Sequence, residues 1–349
     1  MNKSINKNSQ NNLMGDGKKV FNYVDLFSGI GGLSLGFENE HFNNIFSIDF
    51  DKQICDTYRK NFPKNILLEK DIKNLTDEEI LDLKKGKEID VVIGGTPCQG
   101  FSIAGKIGRK FIDDPRNHLF KEFARVVKIL NPKIFVMENV ARVYTHNKGE
   151  TKKEIIKLLE KQGYKVDCQV LNSANYGVPQ VRKRVFFIGN KLGVENKFPE
   201  KEIEKYKTIK EAIDDLPKLS SGEISNIANH EAMKHSEQML KKMSYVSKGG
   251  SRHEIPKEIR PKSGDVRKYI RYDPDKPSIC ITGDMRKVFH YSQNRALSVR
   301  ELARIQTFPD NFIFEGNKIS QQQQVGNAVP PLMAQAIAKT IKQELKNAK

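Results

Sequence analysis

Residues 20–38 read VFNYVDLFSGIGGLSLGFE and decide the fold class. The apolar run that ends at Phe27 predicts a β-strand, residues 28–32 a glycine-rich turn, and the periodic apolar residues from Leu33 a helix. This order allows a nucleotide-like ligand to lie against backbone amides. A dinucleotide fingerprint would need a third glycine at Ser34, so the turn alone is also compatible with ordinary turn chemistry. Strand and helix patterns continue to about residue 190 and predict an open α/β sheet.

Carboxylates follow the next two predicted strands. Asp49 and Phe50 come directly after the apolar run 45–48, and Asp71 follows a third run. An acidic residue at the tip of the second strand is placed to accept hydrogen bonds from ribose hydroxyls, and Phe50 is placed to lie against an adenine ring. The alternative for Asp49 is the N-cap of the helix that the pattern predicts from Lys52.

Two more predicted strands end in groups that can carry chemistry. Residues 89–93 lead into GGTPCQGFS, which puts Cys98 in a tight loop outside the carboxyl end of a strand. Residues 134–137 lead into Glu138, where partial desolvation favours the protonated carboxyl and suits it to proton donation near neutral pH. The alternatives are a small apolar cysteine that fills a turn, and a glutamate that caps a helix or joins an ion pair.

Eight sequence blocks, taken in order, resemble the cytosine-5 DNA methyltransferases. They are DLFSGIGG (25–32), SIDFD (47–51), DI (71–72), GGTPCQGFS (94–102), ENV (138–140), QVRKRVFFIG (180–189), RALSVRELARIQTFPD (295–310) and QVGNAVP (324–330). The resemblance implies a Rossmann-like S-adenosylmethionine-dependent methyltransferase sheet with helices on both faces, plus a smaller target-recognition domain. Thr96 and Gln322 depart from the family's usual residues; the first bears on loop packing and the second on the shape of the cofactor pocket.

The resemblance also implies a covalent mechanism. The Cys98 thiolate adds to carbon 6 of cytosine while Glu138 neutralises ring nitrogen 3, and the activated ring takes a methyl group from S-adenosylmethionine at carbon 5. Side chains two apart on a strand share a face, so Arg182 and Arg184 are expected to point the same way. Arg184 is expected to contact the carbonyl of the flipped base and Arg182 to help hold the catalytic loop; the alternative is a solvated basic edge. The base that takes the carbon 5 proton stays open, bound water included.

The site residues implied by the resemblance form two sets. The catalytic set is Cys98, Gln99, Ser102, Glu138, Arg182 and Arg184. The cofactor-binding set is Phe27, Ser28, Gly29, Ile30, Gly31, Gly32, Asp49, Phe50, Asp71, Ile72, Pro97, Leu119, Asn327 and Ala328.

Composition favours a polyanionic partner. The 349 residues include 60 Lys and Arg against 43 Asp and Glu, a formal net charge of +17, and neutralising phosphates with such a surplus releases counterions. A lysine-rich compositional bias also contributes to this surplus. The four cysteines show no CxxC spacing, so neither a zinc site nor a disulfide framework is expected. Without a membrane-length apolar run or a signal-peptide core, we expect a cytoplasmic monomer that holds no metal.

The expected layout is a disordered tail over 1–18, a catalytic and cofactor-binding domain over 19–190, a target-recognition domain over 191–290, a hinge and motif region over 291–320, and a return to the catalytic domain over 321–349. Residues 101–110 are expected to form a mobile lid over the extruded base; a rigid turn is the alternative. Within 191–290 many cations are available for phosphates and guanines, namely Arg252, His253, Arg260, Lys262, Arg267, Lys268, Arg271, Arg286 and Lys287.

The predicted function is therefore methylation of carbon 5 of cytosine within a specific duplex DNA sequence, through base flipping. We expect it to protect host DNA from a cognate restriction endonuclease. The alternatives are an RNA (tRNA) cytosine-5 methyltransferase and a catalytically silent DNA-binding regulator. The long interval 191–290 favours a DNA reader.

Overall fold

The computed structural model describes residues 19–96, 118–262, 265 and 267–348. The tail predicted to be disordered, residues 1–18, lies outside the described residues. So do Pro97, Cys98, Gln99 and Ser102, together with the lid expected over 101–110.

A seven-stranded sheet forms the centre of the first half of the chain, between residues 22 and 190. Its strands are β1 (Asn22–Leu26), β2 (Asn43–Asp49), β3 (Leu67–Glu69), β4 (Val91–Gly95), β5 (Ile134–Val140), β6 (Lys165–Asn172) and β7 (Lys183–Asn190), arranged in the order β3-β2-β1-β4-β5-β7-β6. Strands β1 to β5 pair in parallel, whereas β7 runs antiparallel to both β5 and β6. The chain reverses its direction of travel across the sheet between β1 and β4, and open α/β sheets bind ligands at such a switch point.

Helices cover both faces of this sheet. The α-helices of the described residues are α1 (Gly32–Asn39), α2 (Lys52–Asn61), α3 (Asp77–Lys84), α4 (His118–Leu130), α5 (Arg142–Thr145), α6 (Glu150–Glu160), α7 (Ile209–Ile213), α8 (Glu237–Ser244), α9 (Val299–Ile305), α10 (Lys318–Asn327) and α11 (Pro331–Asn347). Buried side chains of α4 and α6, such as Phe123 and Leu159, pack on one face. Phe37 of α1 and Ile337 of α11 pack on the other. The fold class predicted from the sequence is confirmed.

The chain after β7 builds a second hydrophobic cluster with little regular structure. Its short strands β8 (Ile270–Arg271) and β9 (Val288–Phe289) pair in parallel. The apolar residues of α7 and α9 meet Tyr58 and Phe62 of α2 in one cluster, so this region packs against the helix that follows β2. Among the described residues, no helix has both the length and the apolar character that crossing a membrane requires.

Buried ion pairs and arginines replace regular hydrogen bonding in this region. Arg295 and Glu301 form a two-point pair at 2.6 and 2.8 Å, and neither side chain is more than 1% exposed. Arg271 donates to the backbone carbonyl of Met243 near the end of α8, and to those of Val246 and His290, which lie in irregular segments. Such bonds satisfy the polar backbone of a region that has few strand ladders.

Candidate active site

A cavity of about 690 Å³ opens at the carboxyl ends of the parallel strands. Its walls come from the turn after β1, the tips of β2, β4 and β5, the start of α4 and the segment that joins α10 to α11. Many predicted site residues line it, namely Phe27, Ser28, Gly29, Ile30, Gly32, Asp49, Phe50, Asp71, Ile72, Leu119, Glu138, Arg184, Asn327 and Ala328. Gly31 and Arg182 are not among the lining residues.

The glycine turn brings distant parts of the chain into contact. Gly31 caps α1 with a left-handed φ of 89°, and a Cβ there would lie 2.3 Å from the ring of Phe62. A Cβ on Gly32 would lie 2.3 Å from the carbonyl oxygen of Val329. Both contacts are shorter than any side chain allows. Gly31 therefore allows the turn to pack against the ring of Phe62, and Gly32 allows the segment before α11 to approach and close the cavity.

Asp49 holds the cavity wall together and still faces the opening. One carboxylate oxygen accepts the backbone N–H of Gly29 at 2.9 Å, and the other accepts that of Phe50 at 2.8 Å. Burial raises the pKa of this carboxyl, and these backbone donors oppose the rise. The alternative of a helix cap is wrong, because Asp51 caps α2 by accepting the N–H groups of Gln53 and Ile54.

Phe50 and Asp71 line the cavity just after β2 and β3. The Phe50 side chain is 67% exposed although it is a large apolar ring. An apolar ring left in water on a cavity wall is suited to stacking against a flat ligand. Asp71 caps the short 3₁₀ helix Ile72–Asn74 through the N–H of Lys73, and its other carboxylate oxygen lies 3.0 Å from Lys73 Nζ.

Glu138 and Arg184 form an ion pair at the other end of the cavity. Arg184 Nε lies 2.9 Å from Glu138 Oε1, with 15% and 12% of the two side chains exposed. Burial raises the pKa of Glu138, and the positive charges of Arg184 and Arg182 oppose that rise. Glu138 pairs in register with Gly95, whose added Cβ would lie 3.2 Å from Glu138 Oε2. The Glu138 carboxyl thus lies beside the end of β4, the strand that leads to Cys98. Glu138 also forms an ion pair, which is the alternative role predicted for this residue from the sequence.

Arg182 has a different environment from Arg184. It is 1% exposed and donates to the carbonyl oxygens of Ile281 at 2.9 Å and Gly326 at 3.0 Å. Burial lowers its pKa to about 10. The alternative of a solvated basic edge is therefore wrong for both arginines. Arg184 forms an ion pair with Glu138, whereas Arg182 hydrogen-bonds to the backbone of Ile281 and Gly326. The two arginines therefore bind different parts of the protein.

The polar residues at the cavity that the sequence-based site prediction left out include Thr96, Asn139 and Gln324. Asn139 Nδ2 donates to both the carbonyl oxygen and the hydroxyl of Thr96, at 3.1 and 3.0 Å. Gln324 accepts the hydroxyl of Thr57 at 2.8 Å and lines the wall, whereas Gln322 is buried away from the cavity. The Glu-Asn-Val block contained the signal for Asn139. Nothing in the glutamine run 321–324 distinguishes Gln324 from its neighbours without a structure.

Comparisons with known proteins agree with this geometry. A family model described as C-5 cytosine-specific DNA methylase matches residues 21–343. The type II methyltransferase M1.HphI of Haemophilus parahaemolyticus is 61% identical over 319 residues, which cover 91% of this chain and 86% of that protein. The type II methyltransferase M.DdeI of Desulfomicrobium norvegicum is 37% identical over 92% of this chain and 88% of its own.

A solved structure extends the likeness to the fold. The crystal structure of a candidate DNA modification methyltransferase encoded within an E. coli prophage superposes with a TM-score of 0.78 at 27% identity, covering 94% of this chain and all of the other. The resemblance seen in the sequence is confirmed: the chain belongs to the C-5 cytosine-specific DNA methylase family and is a DNA (cytosine-5)-methyltransferase.

Proposed function

We propose that the protein methylates carbon 5 of a cytosine within a specific duplex DNA sequence, using S-adenosylmethionine, as the modification enzyme of a type II restriction-modification system. The observation that carries the proposal is the largely buried Glu138–Arg184 pair beside the end of β4, which leads to Cys98. The same cavity continues to Asp49 and Phe50. One cavity thus contains both Glu138, a proton donor for a base, and the Asp49 and Phe50 surface for a nucleoside.

The residues at the cofactor end fit S-adenosylmethionine. Its adenosyl group needs acceptors for two ribose hydroxyls and a flat apolar surface, which Asp49 and the exposed ring of Phe50 supply. The turn at 28–32 and residues 327–328 would hold the remainder of the molecule. When bound, S-adenosylmethionine supplies the electrophilic methyl group.

At the other end, the protein's own groups activate the base. Cytosine carbon 5 becomes nucleophilic once a thiolate has added at carbon 6, and we assign that thiolate to Cys98. The negative charge that develops on the ring is neutralised at nitrogen 3 by Glu138, whose proton affinity is increased by burial. After transfer, loss of the carbon 5 proton lets the Cys98 sulfur leave and restores aromaticity. Gln99 and Ser102 complete this proposed set.

The depth of the site requires the cytosine to leave the helix. Only about an eighth of the Glu138 side chain is exposed. A base that remains stacked in a duplex cannot bring nitrogen 3 to a carboxyl at that depth, because its Watson–Crick edge is paired. We therefore infer base flipping into the Glu138 end of the cavity.

The biological role is inferred from the relatives. Two relatives that match this chain nearly end to end are type II methyltransferases. We propose that this enzyme likewise marks host DNA and so protects it from a cognate endonuclease. Protection is tested by expressing this enzyme in a host together with an endonuclease that cuts the sequence it methylates, and measuring whether the host DNA stays intact.

Methyl transfer from tritiated S-adenosylmethionine, measured on duplex DNA and on tRNA in parallel, tests the substrate. We expect label in DNA alone. Label in tRNA alone would establish the RNA alternative, and no label in either, with DNA still bound, would establish a silent regulator.

The covalent step has its own test. Duplexes that carry 5-fluorocytosine at the target should trap the wild type, since fluorine cannot leave as a proton does. Cys98→Ser should trap nothing and turn over at a small fraction of the wild-type rate, because an alkoxide forms far less readily than a thiolate at neutral pH. DNA binding that survives in this variant shows that the loss is chemical.

A further inference from the structure

A five-residue repeat occurs in the segment that follows β7. Residues 264–268 read GDVRK and residues 283–287 read GDMRK. Each copy comes just before one of the two paired short strands, since β8 begins at Ile270 and β9 at Val288. The parallel pairing of these strands brings the described residues of the first copy (Asp265, Arg267 and Lys268) and the second copy to the same end of the strand pair.

Each copy holds an arginine against an aspartate two residues earlier. Arg267 binds Asp265 through Nε and Nη2, with Nη2 to Oδ2 at 2.6 Å. Arg286 binds Asp284 through Nε at 2.8 Å. Both aspartates also accept the backbone N–H of their own arginine. The pKa of Asp265 is lowered to about 2 by these bonds, so that carboxylate keeps its charge.

The two copies are tied to each other. Lys268 of the first copy lies 3.1 Å from Asp284 Oδ2 of the second. Lys287 of the second copy lies over the ring of Tyr269, and the N–H of Tyr269 donates to the carbonyl of Lys287 at 2.6 Å. An ion pair, a cation–π contact and a backbone hydrogen bond therefore join the two copies to each other.

Both guanidinium groups nevertheless point a donor edge away from their carboxylates. The side chains of Arg267 and Arg286 are 63% and 49% exposed. Within the described part of the chain, Nη1 of Arg267 and both Nη atoms of Arg286 make no hydrogen bond. A guanidinium held along its Nε edge still presents the N–H groups of Nη1 and the second N–H of Nη2 as a fork, and that fork matches O6 and N7 of guanine.

The second copy is anchored to the wall of the active-site cavity. Met285, between Asp284 and Arg286, is 2% exposed and packs in the cluster that covers α2. A Cβ on Gly326, which lines the cavity, would lie 2.3 Å from the carbonyl carbon of Thr282. Arg182 bonds both Ile281 and Gly326. The position of Arg286 is thus set relative to the cavity by direct packing.

We propose that Arg267 and Arg286 are specificity-determining residues that each read one guanine in the major groove of the target DNA, with Asp265 and Asp284 holding the forks in the reading orientation. This proposal rests on the proposed function, since it supposes that the substrate is duplex DNA. It assigns guanine to two positions of the recognition sequence, on either strand. A phosphate contact is the competing role for any exposed arginine.

Arginine-to-lysine changes separate these two roles. Lysine keeps the charge that a phosphate needs, but it lacks the planar fork that distinguishes guanine. The experiment methylates a duplex library with a randomised window and determines, by bisulfite sequencing, the bases around each methylated cytosine. We expect Arg267→Lys to lose discrimination at one guanine and Arg286→Lys at another, each by about 10- to 100-fold.

The aspartates provide a second, independent variant. Asp265→Asn and Asp284→Asn keep an oxygen for the backbone N–H but weaken the hold on the fork. They should relax the same guanine positions as the matching lysine variants, while binding of random duplex DNA rises because one negative charge is gone. Lys257→Gln, an exposed cation of the same interval outside the repeat, should leave the motif unchanged. Unchanged affinity for S-adenosylmethionine, measured by calorimetry, shows that a variant is folded.

The opposite results are equally definite. If the lysine variants retain the wild-type motif, or lose methylation evenly on all sequences, the arginines do not read bases and the proposal is overturned. If the wild type methylates no duplex at all, the proposed function fails instead. The same variants are then compared by the duplexes that they retain in a binding selection, and loss of a guanine preference there still supports the assignment.

Discussion

The link between Asn139 and Thr96 gives the sharpest prediction about the catalytic geometry. Thr96 is two residues before Cys98. Asn139 Nδ2 donates hydrogen bonds to the carbonyl oxygen and the hydroxyl of Thr96, at 3.1 and 3.0 Å. The other end of the Asn139 amide accepts the N–H of Val140 at 2.8 Å. Both Asn139 and Thr96 are buried. We expect this clamp to set where β4 delivers the nucleophile.

Each bond contributes about 0.5–1.5 kcal/mol. Asn139→Ala removes three of them and should lower the free energy of unfolding by about 1.5–4.5 kcal/mol. Thr96→Val keeps the shape and removes only the hydroxyl bond, at a cost of about 0.5–1.5 kcal/mol. A misplacement near 1 Å costs on the order of a hundredfold in rate, so kcat should fall about 10- to 100-fold in Asn139→Ala and less in Thr96→Val.

Steady-state kinetics on target duplexes and urea titrations measure both quantities. The Michaelis constant for S-adenosylmethionine should stay within a factor of about two, since the clamp lies at the Glu138 end of the cavity. In the double variant the two effects should be less than additive, because both changes remove the hydroxyl bond. A folded Asn139→Ala protein with the wild-type kcat and rate of 5-fluorocytosine trapping would refute the reasoning.

Three further outcomes follow from the site and the second cluster. Asp49→Ala should weaken S-adenosylmethionine binding about ten- to a hundredfold by calorimetry, because charge-assisted hydrogen bonds of about 1.5–3 kcal/mol are lost; unchanged affinity would leave Asp49 a purely structural role. Arg184→Met removes a positive charge that lowers the pKa of Glu138, so the alkaline limit of kcat should move to higher pH, whereas Arg184→Lys should keep it in place. Arg295→Met strands the carboxylate of Glu301 and should cost about 3–5 kcal/mol in denaturant titrations. Burial raises the pKa of Glu301, but the hydrogen bonds and charge of Arg295 lower it by more, so the net pKa is below its ordinary value. The wild type should therefore lose this stabilisation as the pH falls below about 4.5, whereas the variant should not.

Local patterns were enough for the order and type of the main elements. The apolar run before Ser28 is β1, the helix predicted from Lys52 is α2, and β7 ends at Asn190 where the α/β pattern was expected to stop. These features depend on periodicity and on turn residues within a few positions, so a single chain carries them. The family motifs added most of the other cavity residues, because several motifs mark the ends of strands; Leu119 and Asn327, by contrast, lie on helices.

Partnerships between distant residues were decided only by the tertiary structure. Asp51, and not Asp49, caps α2, since the path of the chain after β2 turns the Asp49 carboxylate back to Gly29. Arg182 and Arg184 stand two apart and yet bind residues 281 and 138, because β7 begins between them and only the second is in the sheet.

The repeat at 264–268 and 283–287 is also visible in the sequence, whereas its contacts depend on the tertiary structure. Both copies are plain in the sequence, but nothing local says that they meet. Pairing of β8 with β9 brings Lys268 to Asp284, and close packing of Gly326 on Thr282 sets the second copy against the cavity wall. These contacts join residues that are 16 and 44 positions apart in the sequence, and burial and backbone geometry select them rather than any preference of the residues themselves.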